Sequence, residues 1–345
     1  MKKNHSIKTI ALLSILHFFI DFLCAYSLYN NIYSLKNVLE IALIYNYCAF
    51  VLQLPLGALL DRLNINNKIH YPLLFVLLGI IFTIVGSYTN NIILGIGNAL
   101  FHVGGGVISI KEDDLSKFKG RGLGTFVAPG AIGLLFGKLL SNNNSYNLIK
   151  ITIIIVVLLI ALMTYLEANR EDINYLINKN EIDKKEMYIG IVCTFIVVIL
   201  RSLIGMSVSY SWRNTTLLII ISVFALAFGK TAGGFLCAKF GKKKTIIVSL
   251  ILSAICFVLG NNLIFGILSL FLFNMTMPIT LYILKDKIPN NEGTAFGILT
   301  VGLFIGYLPT YLNIARNLSP IYIGSISSII SMVLLLITIR NKENE

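Results

Sequence analysis

Apolar residues along this chain run in long, nearly unbroken stretches. They do not alternate as in a half-buried strand or recur as the one-sided stripe of a soluble helix. A helix needs about 20 mostly apolar residues to cross a bilayer. Windows of that length predict twelve spans, at 8–30, 37–60, 70–88, 91–110, 121–140, 147–167, 187–208, 215–237, 244–260, 262–284, 294–313 and 318–339. Twelve such spans take up about 240 positions, and the rest leaves no room for a soluble domain. The longest connection, 169–186, is polar and charged, and it separates six spans in 1–168 from six in 187–345. The expected fold is an all-α membrane protein of twelve transmembrane helices in two pseudo-symmetric six-helix bundles.

Composition agrees with lipid as the solvent. The 345 residues are 56% hydrophobic and 13% charged, against about 25% charged in soluble domains. A single water-soluble core stops growing at about 250–300 residues, too small to hide this much apolar surface. The N-terminal run, with Lys2, Lys3 and Lys8 before it, continues through His17 and Asp21 without a small-residue cleavage site. It reads as a retained first span, not a signal peptide. Cys24, Cys48, Cys193, Cys237 and Cys256 all fall in apolar stretches and form no CxxC pair. They are expected to pack as small buried hydrophobes, with no disulfide framework and no metal site.

The net charge of +12 has a topological pattern. With twelve spans both termini share a side, and 21 of the 28 Lys and Arg lie in the tails and loops of that side. Arg62, Lys68, Lys111, Lys117, Lys119, Arg170, Lys239, Lys242, Lys243 and Lys244 are among them. The positive-inside rule places both termini in the cytoplasm. Basic loops facing anionic lipid, without interleaved aromatic residues, argue against nucleic acid as a partner.

The halves carry a weak internal repeat. Gln53, Pro55, Gly57, Leu59, Asp61 and Arg62 in the second span are echoed in the eighth, 177 residues on, by Lys230, Gly234, Leu236, Lys239, Gly241, Lys242 and Lys243. Internal repeats are a mark of secondary transporters. The pattern resembles the major facilitator superfamily, whose signature after the second helix reads G-x-L-x-D-R-x-G-R-K. Gly57, Leu59, Asp61 and Arg62 match its front, and Gly234, Lys239 and Gly241 fit the second copy, where Ala238 replaces the carboxylate. In that family the turn latches the halves in the outward-facing state. Phe101-His102 in the fourth span, with His17-Phe18 and Asp21 in the first, resembles the fosmidomycin-resistance branch of bacterial efflux proteins. Ala128-Pro129-Gly130 with Gly133 in the fifth span is similar to the G-P-x-x-G-G core of drug/proton antiporters. The resemblance implies a functional monomer in the plasma membrane.

Ionisable groups at membrane depth cost roughly 2.5–3.5 kcal/mol each at a span centre on insertion scales, so they tend to be paired or functional. His17 and Asp21 stand four apart on one helix face. Helical rise puts His17 and His102 at similar depth near the midplane, and Asp21 and Arg201 at similar depth further out. The resemblance places the first, fourth, seventh and tenth helices around the cavity. These four are the proton-coupling candidates, because a carboxylate and imidazoles can exchange protons with either side. The alternative is a static Asp21–Arg201 ion pair joining the halves, with the histidines bonded to helix carbonyls. Arg201 is also a candidate for holding an anionic substrate. Gln53, Asn98, Lys230 and Asn274 are candidate substrate or gate residues, although Lys230 can instead snorkel to the interface. Pro129 and Pro278 are candidate hinges, since proline removes a helix hydrogen bond. Gly104-Gly105-Gly106 is expected to serve close packing, and Asp113-Asp114 to sit in a solvated loop.

The functional expectation is a secondary active transporter that works by alternating access and exports a small, anionic or drug-like compound in exchange for protons, with no cofactor. An uptake symporter or facilitator for a nutrient is the alternative. A membrane enzyme and a non-transporting sensor are distant third readings, because no phosphate loop, metal-ligand spacing or nucleophile setting is present.

Overall fold

The computed structural model describes residues 2–33, 38–63, 70–116, 120–141, 146–168, 183–315 and 318–340. They fold almost wholly as helices, with one isolated bridge between Val208 and Leu318. The helices are α1 (Lys2–Tyr33), α2 (Val38–Asn46), α3 (Gln53–Leu63), α4 (His70–Tyr88), α5 (Asn91–Leu115), α6 (Arg121–Leu140), α7 (Tyr146–Ala168), α8 (Lys184–Ser207), α9 (Thr216–Phe240), α10 (Lys242–Val258), α11 (Leu263–Asn274), α12 (Thr276–Lys287), α13 (Glu292–Tyr311) and α14 (Ser325–Arg340). A π-helical turn, Tyr47–Val51, joins α2 to α3, and another, Pro320–Gly324, leads into α14.

Eleven helical stretches among the described residues are long and apolar enough to cross a membrane. Of the twelve spans expected, the ninth corresponds to α10, which has 17 residues and opens on three lysines. That is the short end of the spanning range. The helices outrun the apolar windows at several ends, because helical hydrogen bonding continues into polar sequence. α1 begins at Lys2. α8 begins at Lys184, inside the stretch expected to be loop, where the Asp183 side chain accepts from the Lys185 N–H at 3.4 Å as an N-cap. Most of the expected central connection, and Lys68, Lys117, Lys119, Arg170 and Lys179, lie outside the described residues. The tenth span is two helices, α11 and α12, which meet at Met275. Pro278 lacks the N–H that would have bonded the Asn274 carbonyl, so the break falls one proline-span upstream of Pro278.

The chain forms two compact units. One holds Met1–Phe118, Thr125–Ile177 and Glu292–Gly297, and the other Lys119–Gly124, Asn178–Asn291 and Ile298–Glu345. In the first unit α4 and α5 pack closely through glycines. A Cβ on Gly79 or Gly86 would strike the α5 backbone at Phe101 and Leu94, and one on Gly97 or Gly104 would strike α4 at Thr83 and Pro72. Small residues spaced seven apart on both helices let the backbones touch, as membrane helices require when no hydrophobic effect drives them together. Only Gly104 of the glycine triplet serves this contact; Gly105 faces Phe126 and Gly106 faces Phe296. In the second unit α8, α10 and α14 enclose a core of Val197, Ile204, Ile246, Leu250, Phe257 and Leu335. All five cysteines are buried free thiols.

Candidate functional site

Two helix pairs of residues build the site. α1 supplies His17 and Asp21, and α5 supplies Asn98 and His102, each pair one turn apart on one face. His17, Asp21 and Asn98 are about 95% buried, and Phe101 is fully buried beside them. Asn98 Nδ2 donates to Asp21 Oδ1 at 3.0 Å. His17 Nε2 lies 3.2 Å from Asp21 Oδ2, and His102 Nε2 lies 3.6 Å from Asp21 Oδ1. The two imidazoles meet edge to face, their Nε2 atoms 2.9 Å apart.

The ring tautomers follow from the other nitrogens. His17 Nδ1 is 2.7 Å from the Phe126 carbonyl oxygen, and His102 Nδ1 is 2.9 Å from the Asn98 carbonyl oxygen. A carbonyl only accepts, so both Nδ1 atoms carry hydrogen and donate. If both rings were neutral, two Nε2 lone pairs would face each other at 2.9 Å. One added proton turns that repulsion into an N–H···N hydrogen bond, and Asp21 balances its charge. The same three side chains can be considered for a metal ion, since one ligand atom from each lies within 4.8 Å of the others. Two ring nitrogens on a tetrahedral zinc at 2.0–2.1 Å would stand about 3.3 Å apart, so the observed spacing suits a proton better.

α6 closes the site. Phe126 lends His17 its carbonyl and lies tilted against the ring, with centroids 4.8 Å apart. Pro129 lies inside α6, and at Gly130 a Cβ would run into His17 Nε2 and Asp21 Oδ2. Gly133 and Gly137 continue the contact along α1 at Phe18 and Phe22. The sequence singled out the Pro129-Gly130 run by resemblance, but not Gly130 as a wall of the site or Phe126 as the anchor of His17.

Asp21 and Arg201, matched by depth in the sequence, each find partners within their own unit. Arg201 on α8 is 7% exposed and donates through one terminal nitrogen to Thr276 Oγ1 at 3.0 Å and Thr280 Oγ1 at 3.1 Å. Its buried Nε has no hydrogen-bond partner. Asn274 is buried and donates to the Leu270 carbonyl of its own helix at 2.9 Å. Gln53, also buried, donates to the Ala49 carbonyl at 2.6 Å while its Oε1 has no partner. Lys230 is half-buried on α9. Asp113, expected in a solvated loop, is instead buried with Glu112 in the last turn of α5, because the helix runs on to Leu115; Asp114 is exposed.

The repeated signature builds two unlike contacts. In the first unit Asp61 caps the start of α13, accepting from the Gly293 N–H at 2.9 Å and from the Thr294 N–H and hydroxyl at 2.7 Å. Asn291, the local N-cap residue, makes no side-chain cap bond. Gly57 lies against the Gly293 backbone, where either glycine's Cβ would collide with the other glycine's carbonyl. In the second unit Gly234 meets Gly120 at the start of α6, and Gly124 meets the Lys230 carbonyl. Ala238 offers this helix no carboxylate. Arg62 and Lys239 are exposed. Gly241 takes φ +85° between α9 and α10, a left-handed turn that favours glycine, and its N–H bonds the Cys237 carbonyl at 2.9 Å.

No protein-family model matches this chain, and no curated protein does. Among solved structures it is similar to the E. coli fucose:proton symporter FucP, at 14% identity and a TM-score of 0.60 over 95% of this chain and 98% of that one. It is also similar to the human organic anion transporter MFSD10 (TETRAN), at 11% identity and a TM-score of 0.64 over 96% and 99%. At such identities the likeness is one of fold: the chain shares the helical fold of these two structures over nearly its whole length.

Proposed function

We propose that this chain is a secondary active transporter working by alternating access, a monomer in the plasma membrane that exports a small compound in exchange for protons. The observation that carries this reading is the facing pair of imidazole nitrogens, His17 Nε2 and His102 Nε2, 2.9 Å apart over Asp21. With both Nδ1 atoms committed to backbone carbonyls, the pair is at rest only while it holds one extra proton. Losing that proton sets two lone pairs against each other across the α1–α5 contact, and through Phe126 it reaches α6. Proton binding is thereby tied to helix geometry, which coupling requires. Export is favoured because Gly130 of the antiporter-like run abuts His17 and Asp21, in keeping with the resemblance to the fosmidomycin-resistance branch. The Asp61 cap on α13 serves as the latch, present on one side of the repeat only. Pro129 and the Asn274–Pro278 break are its hinges, and Gln53, Lys230 and Asn274 are its candidate substrate or gate residues.

A second reading, proton symport, is supported by the likeness to a structure named as a proton symporter; the same proton site serves either direction. The test is proton flux in proteoliposomes with an internal pH dye, with candidate compounds added on one side. A compound-triggered pH change is expected, lost in Asp21→Asn while exchange of labelled for unlabelled substrate continues. Full proton-driven flux in Asp21→Asn would make Asp21 structural and overturn the coupling assignment, and the sign of the pH change separates antiport from symport.

A further inference from the structure

We infer that Arg201, held by Thr276 and Thr280, is the subsite for a negatively charged headgroup of the transported compound, a carboxylate or a phosphonate. This rests on the transporter reading and adds the class of substrate to it. Arginine keeps its charge in proteins, so a buried guanidinium has to meet an anion or a full set of acceptors. Arg201 meets neither. Two of its five N–H donors go to Thr276 and Thr280, both through the same nitrogen. Those hydroxyls are free to accept because each donates its own hydrogen to a helix carbonyl, Thr276 to Phe273 at 2.9 Å and Thr280 to Thr276 at 2.7 Å. The remaining donors, including the buried one on Nε, have no protein acceptor among the described residues.

The carboxylates of residues 183–291 do not answer this charge. Asp183 caps α8, Glu186 pairs with Lys287 at 2.8 Å, and Asp286 pairs with Lys242. The two threonines take both N–H groups of one terminal nitrogen and hold the guanidinium plane fixed, which leaves Nε and the other terminal nitrogen to donate single charge-assisted hydrogen bonds to an anion. Arg201 stands six residues inside the end of α8 at Ser207, about 9 Å along the helix. That depth suits a solute in a cavity better than the phosphate of a lipid, which lies at the helix ends. Thr276 opens α12, directly after the break at Met275, so an anion drawn to Arg201 also engages the segment proposed to bend.

The experiment is thermal unfolding of the purified full-length protein in detergent, titrated with benzoate, phenylphosphonate and the uncharged benzamide, and repeated with phosphatidylglycerol micelles present. Saturable stabilisation by at least one of the two anions, with none from benzamide, is expected. Arg201→Gln should weaken the apparent affinity at least tenfold, Arg201→Lys should keep part of it as the folding-safe variant, and Leu158→Ala, at an exposed position of α7, should bind like the parent protein. Competition by phosphatidylglycerol at low mole fraction would assign the headgroup to lipid and overturn the substrate assignment. Silence with both anions, equal response to benzamide, or an unchanged titration in both Arg201 variants would overturn it as well. Because no gradient or flux enters, anion binding without proton movement would sink the coupling reading and leave this subsite standing. Proton-coupled flux of a neutral compound with no anion binding would do the reverse.

Discussion

At the scale of single residues, the site depends on groups that cannot shift. The His17 ring is fixed by the Phe126 carbonyl and flanked by Phe126, Phe101 and His102, so it cannot make way for a new methyl group at Gly130. Gly130→Ala is therefore expected to destabilise the protein by about 1–3 kcal/mol, the usual cost of overpacking, and to lose proton-driven flux. Gly205→Ala is the matched control, since a Cβ there meets nothing within 4 Å and alanine is the better helix former. Melting curves of the two variants side by side check this, and equal melting temperatures would remove Gly130 from the site. His102→Gln can still donate to a carbonyl but cannot take up a proton. It should flatten the pH dependence of flux in proteoliposomes; an unchanged profile would leave His17 and Asp21 as the whole relay. His17, Asp21, Asn98 and His102 were legible in the sequence because ionisable and amide groups stand out in apolar spans and the i, i+4 spacing sets their faces. Gly130 and the Phe126 carbonyl were not, because a missing side chain and a backbone oxygen carry no chemical label.

At the scale of helices, the least local feature is the cap that Asp61 of α3 places on α13, 232 and 233 residues away in sequence. A helix start leaves N–H groups without partners and carries positive partial charge, so a carboxylate there serves both. Replacing capping side chains typically costs about 0.5–2 kcal/mol. Asp61→Ala, which removes three hydrogen bonds, should fall toward the upper end in a melting experiment, with Asp61→Asn intermediate. If this contact is the latch, both variants should also change the ratio of inward to outward accessibility; a stable protein with unaltered accessibility would leave the cap as a structural device only. The signature revealed Asp61 in the sequence but not its partner, since nothing local in Asn291-Glu292-Gly293-Thr294 announces a distant carboxylate. The break of the tenth span was legible from Pro278. The run of α5 past Asp113 was not, because a hydropathy window ends where charges begin while helical hydrogen bonding does not.

At the scale of the whole chain, the repeat is kept in backbone and lost in charge. In both copies a glycine of the signature, Gly57 or Gly234, meets a glycine that stands four residues before another at the start of a helix, Gly293 with Gly297 or Gly120 with Gly124. Only the first copy adds a carboxylate. Such asymmetry matters for direction only if the signature lies on a known side of the membrane, and the expectation from the charge pattern is the cytoplasmic side, with both termini. The buried native thiols give a quiet background for testing that placement by labelling. A cysteine introduced as Asn178→Cys in the central connection should react with a membrane-impermeant maleimide only in inside-out vesicles, and Asn143→Cys, between the fifth and sixth spans, only in intact cells. The opposite pattern would invert the topology. The Asp61 latch would then close the external side, and the proton site would release its charge in the reverse sense, so that the export reading would give way to uptake.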